Sequence, residues 1–174
     1  MIKIVSGTNR NDSVSKSVAH QYHEILMEKG SPCDVLDLNL LPHDFIMSAL
    51  YENEGKNQEF NLFRDQIIAA DKFVFIVPEY NGSFPGVLKA FIDGLPYKQV
   101  FNDKKCALVG ISTGTQGAGL ALSHLTDIFN YMGMHVLAYK VKLARIKGIM
   151  TENKVSDKQQ LDKITRQAQM LIDF

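Results

Sequence analysis

The feature that most constrains the fold is an unbroken apolar run, FVFIV, at residues 73–77. β-branched and aromatic residues without polar alternation are typical of a strand covered on both faces, as in a parallel sheet flanked by helices. Polar residues follow at once, beginning with Glu79, Tyr80 and Asn81. Because ligands bind outside the carboxyl ends of the strands in such sheets, the segment after this strand is the first candidate site.

The rest of the chain alternates between strand-like and helix-like segments. We predict strands at residues 2–6, 33–38, 73–77, 105–111 and 135–141, and helices at residues 14–29, 59–70, 120–132 and 157–174, with a further helix that begins near Pro85. This alternation predicts an α/β three-layer sandwich with a five-stranded parallel sheet, formed by residues 1–174 as one domain. Residues 39–58 are expected to form a long connection rather than a helix of standard length.

Composition narrows the class of protein. Hydrophobic residues make up 45% and charged residues 22%, which is typical of soluble globular proteins. Lys plus Arg and Asp plus Glu number 19 each, so the net charge of zero gives no argument for a nucleic-acid partner. No apolar run approaches the roughly 20 residues of a membrane helix, and no signal peptide is recognisable, so we expect a cytoplasmic protein without a membrane partner.

Two cysteines, Cys33 and Cys106, stand far apart and lack the CxxC spacing of a zinc or dithiol site. We expect both to be small buried side chains. His124 and His135 have no metal-ligand spacing between them, and we expect structural or surface roles for both. No metal site is predicted.

The loop after the first strand reads SGTNRNDSVSKS and leads directly into a helix. The N-terminus of a helix binds anions, because its N–H groups are unpaired and the helix dipole is positive there. Hydroxyl groups and a guanidinium add donors and charge that suit a phosphate. The candidate ligands are Thr8, Arg10, Ser13 and Ser15. An ordinary helix cap at Asp12 or Ser13 explains the same loop.

The loop lacks the Walker A lysine and the GxGxxG fingerprint, which disfavours a P-loop nucleotidase or a Rossmann-type dehydrogenase.

Two further loops end at the same predicted edge. Glu79, Tyr80, Asn81 and Gly82 offer an aromatic face, an amide and a flexible backbone, which a flat heteroaromatic ring requires, although Asn-Gly is also a common turn. Residues 111–119, ISTGTQGAG, are rich in glycine, which permits either close approach to a ligand or a tight turn. In a sheet of order 2-1-3-4-5, the ends of strands 1, 3 and 4 adjoin, with the topological switch point between strands 1 and 3.

Three segments together resemble one family. PEYNGSFPGVLKAFIDGL at residues 78–95 resembles the signature PEYNxSxPGxLKxxID, GTNRNDSVSKSVA at residues 7–19 resembles GSxRxxSxNxxLA, and residues 110–134 resemble a third loop and helix. On these segments the chain resembles the NADPH-dependent FMN reductase family, flavodoxin-like flavoproteins that include chromate, quinone and azo-dye reductases. It departs from the pattern at Ser15, where Asn is usual, and at Gly94, where Trp is common.

The resemblance implies a flavodoxin-like fold that binds FMN. It implies that the phosphate is held by Thr8, Arg10, Ser13 and Ser15, with Lys16 nearby, that the ring and ribityl chain are lined by Pro78, Glu79, Tyr80 and Asn81, and that the site is closed by Ser112, Thr113, Gly114 and Gln116. It also implies an oxidoreductase that passes hydride from NADPH or NADH through FMN to a quinone, free flavin, azo dye or metal oxyanion. A homodimer or homotetramer is expected, and no catalytic side chain.

Two alternatives stay open. A flavodoxin-type carrier would bind FMN and exchange single electrons with protein partners, but such carriers are usually strongly acidic, and this chain has no net charge. A relative that has lost flavin and binds another ligand is the second. Glu79 as a carboxylate nucleophile is a minor hypothesis, because no second carboxylate lies at a convincing spacing.

Overall fold

The computed structural model describes residues 1–97 and 100–174, which contain six α-helices and eight strands. The helices are α1 (Val14–Glu28), α2 (Phe45–Ser48), α3 (Gln58–Ala69), α4 (Gly86–Asp93), α5 (Gly119–Tyr131) and α6 (Lys158–Asp173). The strands are β1 (Ile2–Ser6), β2 (Cys33–Asp37), β3 (Lys72–Pro78), β4 (Lys105–Ile111), β5 (His135–Val136), β6 (Val141–Leu143), β7 (Met150–Thr151) and β8 (Lys154–Val155). None of these helices is long and apolar enough to cross a membrane.

The main sheet has the order β2-β1-β3-β4-β5, and all of its pairs are parallel. Ser6, the last residue of β1, lies opposite both Asp37 of β2 and Ile76 of β3, and Pro78 of β3 lies opposite Ile111 of β4. The carboxyl ends of these strands therefore meet at one edge. The predicted α/β fold with the flavodoxin-like strand order is confirmed.

Both faces of the sheet are covered by helices. Phe73, Phe75 and Val77 of β3 are fully buried in one apolar cluster with residues of α3, α4 and α5, while Val74 and Ile76 are fully buried in a second cluster with residues of α1 and α6. This two-sided burial is the physical reason why the run at residues 73–77 contains no polar position.

The fifth predicted strand is not continuous, which corrects the prediction for residues 135–141. Its two parts, β5 and β6, both pair with β4, and the backbone leaves the sheet between them. The buried side chain of Gln167 on α6 occupies this gap, and its Nε2 donates to the carbonyl oxygens of Leu108 at 3.0 Å and Tyr139 at 2.8 Å. A side chain thus replaces a missing ladder hydrogen bond, because a buried carbonyl requires a donor.

Residues 39–58 form a connection without a standard helix, as predicted, but they are well packed. They follow directly from a 3₁₀ turn, Leu38–Leu40, and contain α2 and a second 3₁₀ turn, Tyr51–Asn53. The ring of Phe45 stacks on that of Phe60 in α3, with centroids 5.6 Å apart. A methyl group added to Gly94 would lie 2.6 Å from Phe60 Cζ, so the position at which the resemblance favours Trp has no room for a side chain.

The β7–β8 hairpin was not predicted. Its turn places Glu152 and Asn153 at positive φ, and its strands have only two residues each, too short to show a pattern in the sequence. The amide of Gln21 in α1 fixes the hairpin, since Nε2 donates to the carbonyl of Val155 at 3.0 Å and Oε1 accepts from its N–H at 2.8 Å.

The expectation for the cysteines is confirmed, because Cys33 and Cys106 are both buried and free. Burial, and then the charge of Asp34, raises the pKa of Cys33 to about 11. Burial also raises the pKa of Cys106. Both thiols therefore stay protonated at neutral pH, which disfavours a nucleophilic role.

Replacement of Gln167 by Leu keeps the size of the side chain but removes the donor to the broken strand. We expect Gln167→Leu to lower the free energy of unfolding in urea by about 1–3 kcal/mol, since buried carbonyls lose their partner. The control is Gln169→Leu, an exposed position on the same helix, which should change stability by less than about 0.5 kcal/mol. Equal stability of the two variants would contradict this role of Gln167.

The tight contact at Gly94 generates a second prediction. Gly94→Ala should cost about 1–3 kcal/mol in thermal or urea unfolding, because the new methyl group must displace the buried ring of Phe60. Gly86→Ala, at the start of the helix that Gly94 caps, is the matched control, since among the described residues no atom beyond its chain neighbours and the helix backbone lies within 4 Å of the added group. If both substitutions are neutral, Phe60 does not require the space at Gly94.

Candidate functional site

A cleft of about 310 Å³ lies at the edge of the sheet where β1, β3 and β4 end. Nine of the thirteen predicted site residues line it, namely Thr8, Arg10, Ser13, Ser15, Pro78, Glu79, Tyr80, Ser112 and Thr113. The four that do not are Lys16, Asn81, Gly114 and Gln116. We call this cavity the strand-end cleft.

A second cleft, of about 460 Å³, lies between α4 and α5. Its lining includes the apolar side chains of Ile92, Leu95, Ile128 and Met132. The Lys89 ammonium on its rim is paired with Asp93 at 2.7 Å. The lining also includes Asp127, Tyr97 and Tyr131, so its charged groups are two carboxylates and one paired lysine, which disfavours an anion. The strand-end cleft, which is lined by several hydroxyl groups and Arg10, is the better candidate for the predicted phosphate site.

The loop after β1 packs closely against β3. A methyl group added to Gly7 would lie 2.9 Å from the carbonyl oxygen of Ile76, so only glycine allows this approach. Thr8 is fully buried, and its Oγ1 lies 2.7 Å from the hydroxyl of Tyr80. The Arg10 N–H also donates to Thr8 Oγ1, at 3.4 Å. Thr8 thus joins the loops that follow β1 and β3.

The N-terminus of α1 forms one wall of the cleft. Ser13 is its N-cap, and Oγ accepts a hydrogen bond from the Lys16 N–H at 3.2 Å. The ordinary helix cap, which the sequence offered as an alternative explanation of this loop, is therefore present. Ser13 caps the helix and also lines the cleft. The N–H groups of Val14 and Ser15 precede the intrahelical hydrogen bonds, so this wall offers donors to an anion. Ser15 is largely buried, and it also lines the cleft.

The two cations of this loop have different surroundings. Lys16 Nζ lies 3.1 Å from Oδ2 of Asp37, a largely buried carboxylate at the end of β2. Arg10 is exposed at the cleft, and within residues 1–97 and 100–174 its guanidinium has neither an ion-pair nor a hydrogen-bond partner. Arg10 is therefore available to a ligand, whereas the charge of Lys16 is already compensated.

The loop after β3 begins with a tight hairpin turn. Asn81 and Gly82 have φ values of 51° and 76°, and Tyr80 and Ser83 exchange backbone hydrogen bonds of 2.8 and 3.0 Å. Positive φ at both central residues is the pattern of a type I′ turn, so the turn interpretation of Asn-Gly is confirmed. The turn holds Tyr80 at the cleft and leaves Asn81 exposed outside its lining. Ser83 Oγ lies 2.9 Å from His124 Nδ1, which joins this turn to α5.

The loop after β4 is held by the hydroxyl of Ser112. Its Oγ donates to the carbonyl of Gly114 at 3.1 Å and accepts from the N–H of Gly117 at 3.0 Å. This hydroxyl therefore shapes the loop. Thr113 is exposed at the cleft, while Gly114 and Gln116 are exposed outside its lining.

Sequence reasoning missed the contribution of the segment after β6. Ile146 and Lys147 also line the strand-end cleft, because the N–H of Ile146 donates to the carbonyl of Ser112 at 3.0 Å and that of Arg145 donates to the carbonyl of Gly114 at 2.8 Å. The only available signal was a pair of cations, Arg145 and Lys147, shortly beyond the last predicted strand.

These groups fit FMN. The first N–H groups of α1, the Ser15 hydroxyl and the exposed Arg10 guanidinium suit a phosphate, which binds through hydrogen bonds and positive charge. The ring of Tyr80 and the apolar surface of Pro78 and Ile111 suit a flat aromatic ring. The N–H groups of α1 and the guanidinium of Arg10 follow β1, and the aromatic and apolar surface lies at the ends of β3 and β4, as a ligand with a phosphate at one end requires.

The internal bonds of Ser112 generate a prediction for the shape of the cleft. Ser112→Ala should lower the free energy of unfolding by about 1–3 kcal/mol, because the buried N–H of Gly117 loses its acceptor. Thr113→Ala removes a neighbouring exposed hydroxyl and should be within about 0.5 kcal/mol of the parent protein in the same urea titration. An unchanged Ser112→Ala midpoint would show that this hydroxyl does not hold the loop.

Comparison with known proteins agrees with this geometry. The 2-hydroxy-1,4-benzoquinone reductase of a Burkholderia species is 34% identical over 134 residues, which cover 75% of this chain and 70% of that protein. An NAD(P)H-dependent FMN reductase of Pseudomonas aeruginosa is 34% identical over 139 residues, covering 76% of this chain and 71% of that protein.

Among solved structures, a flavoenzyme NAD(P)H:(acceptor) oxidoreductase from Paracoccus denitrificans superimposes with a TM-score of 0.78. The alignment covers 99% of this chain and 94% of that one, at 23% identity, which shows a shared fold. The family model described as NADPH-dependent FMN reductase matches residues 1–146. Because this match covers most of the chain and two relatives are 34% identical over about three quarters of it, the chain belongs to the NADPH-dependent FMN reductase family.

Proposed function

We propose that this protein is an FMN-dependent NAD(P)H oxidoreductase that passes reducing equivalents from NADPH or NADH to a small acceptor, such as a quinone, free flavin, azo dye or metal oxyanion. The observation that carries the proposal is the strand-end cleft, which combines a helix N-terminus, an exposed guanidinium and an aromatic surface at the topological switch point. Relatives named quinone reductase and FMN reductase support the same activity.

The phosphate of FMN is proposed to lie at the N-terminus of α1. The N–H groups of Val14 and Ser15 and the hydroxyl of Ser15 would donate to its oxygens, and Arg10 would supply charge. Thr8 and Ser13 are also in the lining, but Thr8 is bonded to Tyr80 and Ser13 caps the helix. Lys16 would act indirectly, because its ion pair with Asp37 holds the first turn of α1 against the end of β2.

The ring of FMN is proposed to lie toward the ends of β3 and β4. Pro78 and Tyr80 would provide apolar and aromatic contact, and Thr113 would border the ring from the β4 side, with Ser112 shaping that loop. Glu79 completes this wall. Asn81, Gly114 and Gln116, which the resemblance places in the site, lie outside the lining and would reach a ligand only from the exposed rim.

Bound FMN supplies the redox chemistry, while the protein supplies binding and orientation. The contribution of this chain is then to hold phosphate and ring at fixed positions and to leave the outer side of the cleft open to small molecules. We assign no catalytic acid or base. Positioning of this kind contributes to the rate because reactants bound in a suitable orientation avoid the entropic cost of encounter.

The domain organisation, compartment, oligomeric state and partners of the protein are proposed from the resemblance and the composition. We propose that residues 1–174 form one domain, that the protein works in the cytoplasm as a homodimer or homotetramer, and that its partners are small molecules rather than nucleic acid. The net charge of zero supports the last point, because phosphate backbones require a basic surface.

The proposed activity is tested by absorption spectroscopy of the purified protein mixed with FMN under anaerobic conditions. We expect flavin absorbance at ~450 nm to decrease when NADPH or NADH is added and to return when a quinone follows. Bound flavin that responds to neither nicotinamide would contradict the reductase and favour a one-electron carrier. Failure to bind FMN would contradict both.

The role of Arg10 is tested by its replacement. Arg10→Ala should raise the dissociation constant of FMN about tenfold or more, because a charge-assisted hydrogen bond contributes about 1.5–3 kcal/mol. The control is Arg64→Ala, which removes an arginine of α3 that is paired with Asp65 and does not line the cleft. Equal FMN affinity of the two variants in a fluorescence titration would exclude Arg10 from the phosphate site.

A further inference from the structure

Lys147 lies one residue beyond the segment that the family model matches, yet it lines the same cleft as Arg10, Ser13 and Ser15. Neither the motifs nor the resemblance assigned it a role. The preceding residue, Ile146, belongs to the same buried apolar cluster as Val18 and Ala19 of α1, so this segment lies on the α1 side of the sheet. Among the described lining residues, Lys147 is the one cation from the C-terminal part of the chain.

The backbone around Lys147 is fixed by the fold. Ile146, the preceding residue, is buried, and its N–H donates to the carbonyl of Ser112 in the loop after β4 at 3.0 Å. The N–H of Gly148 donates to the carbonyl of Arg145 at 2.8 Å and closes a 3₁₀ turn, Ile146–Gly148. Lys147 is thus presented at the cleft by a turn that is anchored on both sides.

The charges of the lining show why a second cation matters. Four charged side chains line the cleft: Arg10 and Lys147 are cations, whereas Asp12 and Glu79 are carboxylates. Without Lys147 this set would carry a net charge of 1 − 2 = −1. A phosphate monoester carries about −2 at neutral pH, so a negative lining would oppose its binding.

Lys147 is also available for a ligand. In the part of the chain that the structure describes, its ammonium has no ion-pair or hydrogen-bond partner, and the same holds for the guanidinium of Arg10. Lys16, which lies closest to the phosphate motif in sequence, is instead paired with the buried carboxylate of Asp37.

We infer that Lys147 binds the phosphate of FMN together with Arg10, as the second cation of the phosphate site. This inference rests on the proposed function. If Lys147 binds the phosphate, the segment after β6 helps the protein to bind FMN in preference to riboflavin. The sequence motifs place this preference in the loop after β1 alone.

The test compares FMN with riboflavin, which has the same ring and ribityl chain but no phosphate. Both are titrated against the full-length protein by flavin fluorescence, and the ratio of their dissociation constants measures the contribution of the phosphate. We expect Lys147→Met to reduce the preference for FMN about tenfold and to leave riboflavin affinity unchanged, because one charged hydrogen bond is lost. Lys147→Arg keeps the charge and should keep most of the preference.

Lys142→Met is the matched control, because Lys142 is an exposed cation of the preceding strand that does not line the cleft. It removes the same charge from the protein and should leave the preference for FMN unchanged. Added salt should reduce the preference of the parent protein more than that of Lys147→Met, because the lost interaction is the one that ions screen.

The outcomes separate this inference from the function on which it rests. If the parent protein prefers FMN and Lys147→Met retains that preference, or if Lys142→Met loses as much, the inference is wrong and the proposed function stands. If the parent protein binds neither flavin, the proposed function is wrong and the inference falls with it.

Discussion

The parallel pairing of β3 with β1 on one side and β4 on the other is the constraint on which the site depends. Ser6 lies opposite Ile76 and Pro78 lies opposite Ile111, so three strands end at one edge and their loops converge. A parallel ladder requires crossovers that carry helices on both faces, and these helices bury β3 completely. The apolar run of β3 therefore positions the cleft, although none of residues 73–77 lines it.

The loops at this edge are shaped largely by bonds within the protein. Thr8 and Tyr80 join two of them at 2.7 Å, Ser112 closes the third on itself, and the Lys16–Asp37 pair fixes the helix that forms the cleft wall. Thr8, Ser112 and Lys16, which the motifs assign to ligand binding, are therefore engaged in bonds that hold the loops of the site in place. What stays available to an anion is the set of N–H groups at the start of α1 and the cations Arg10 and Lys147.

The sequence predicted the fold well because its strongest signals are local. Strand β4 was predicted with its observed bounds, and the glycine-rich and polar loops were placed at the correct edge. The errors arose where distant residues decide the outcome. Gln167 bridges the broken fifth strand from α6, and Asp37 takes the charge of Lys16 from the end of β2, and no spacing in the sequence reveals either partnership. Lys147 was missed because hydrogen bonds from Arg145 and Ile146 to the loop after β4 bring its segment to the cleft, and no spacing in the sequence reveals them.

The measurement that tests the account most directly is a crystal structure of the protein with bound FMN. We predict electron density for the phosphate at the N-terminus of α1, within hydrogen-bonding distance of Ser15 and Arg10, and for the ring beside Tyr80. A phosphate bound away from the N-terminus of α1, or a flavin bound in the cleft between α4 and α5, would contradict the assignment of the strand-end cleft as the cofactor site.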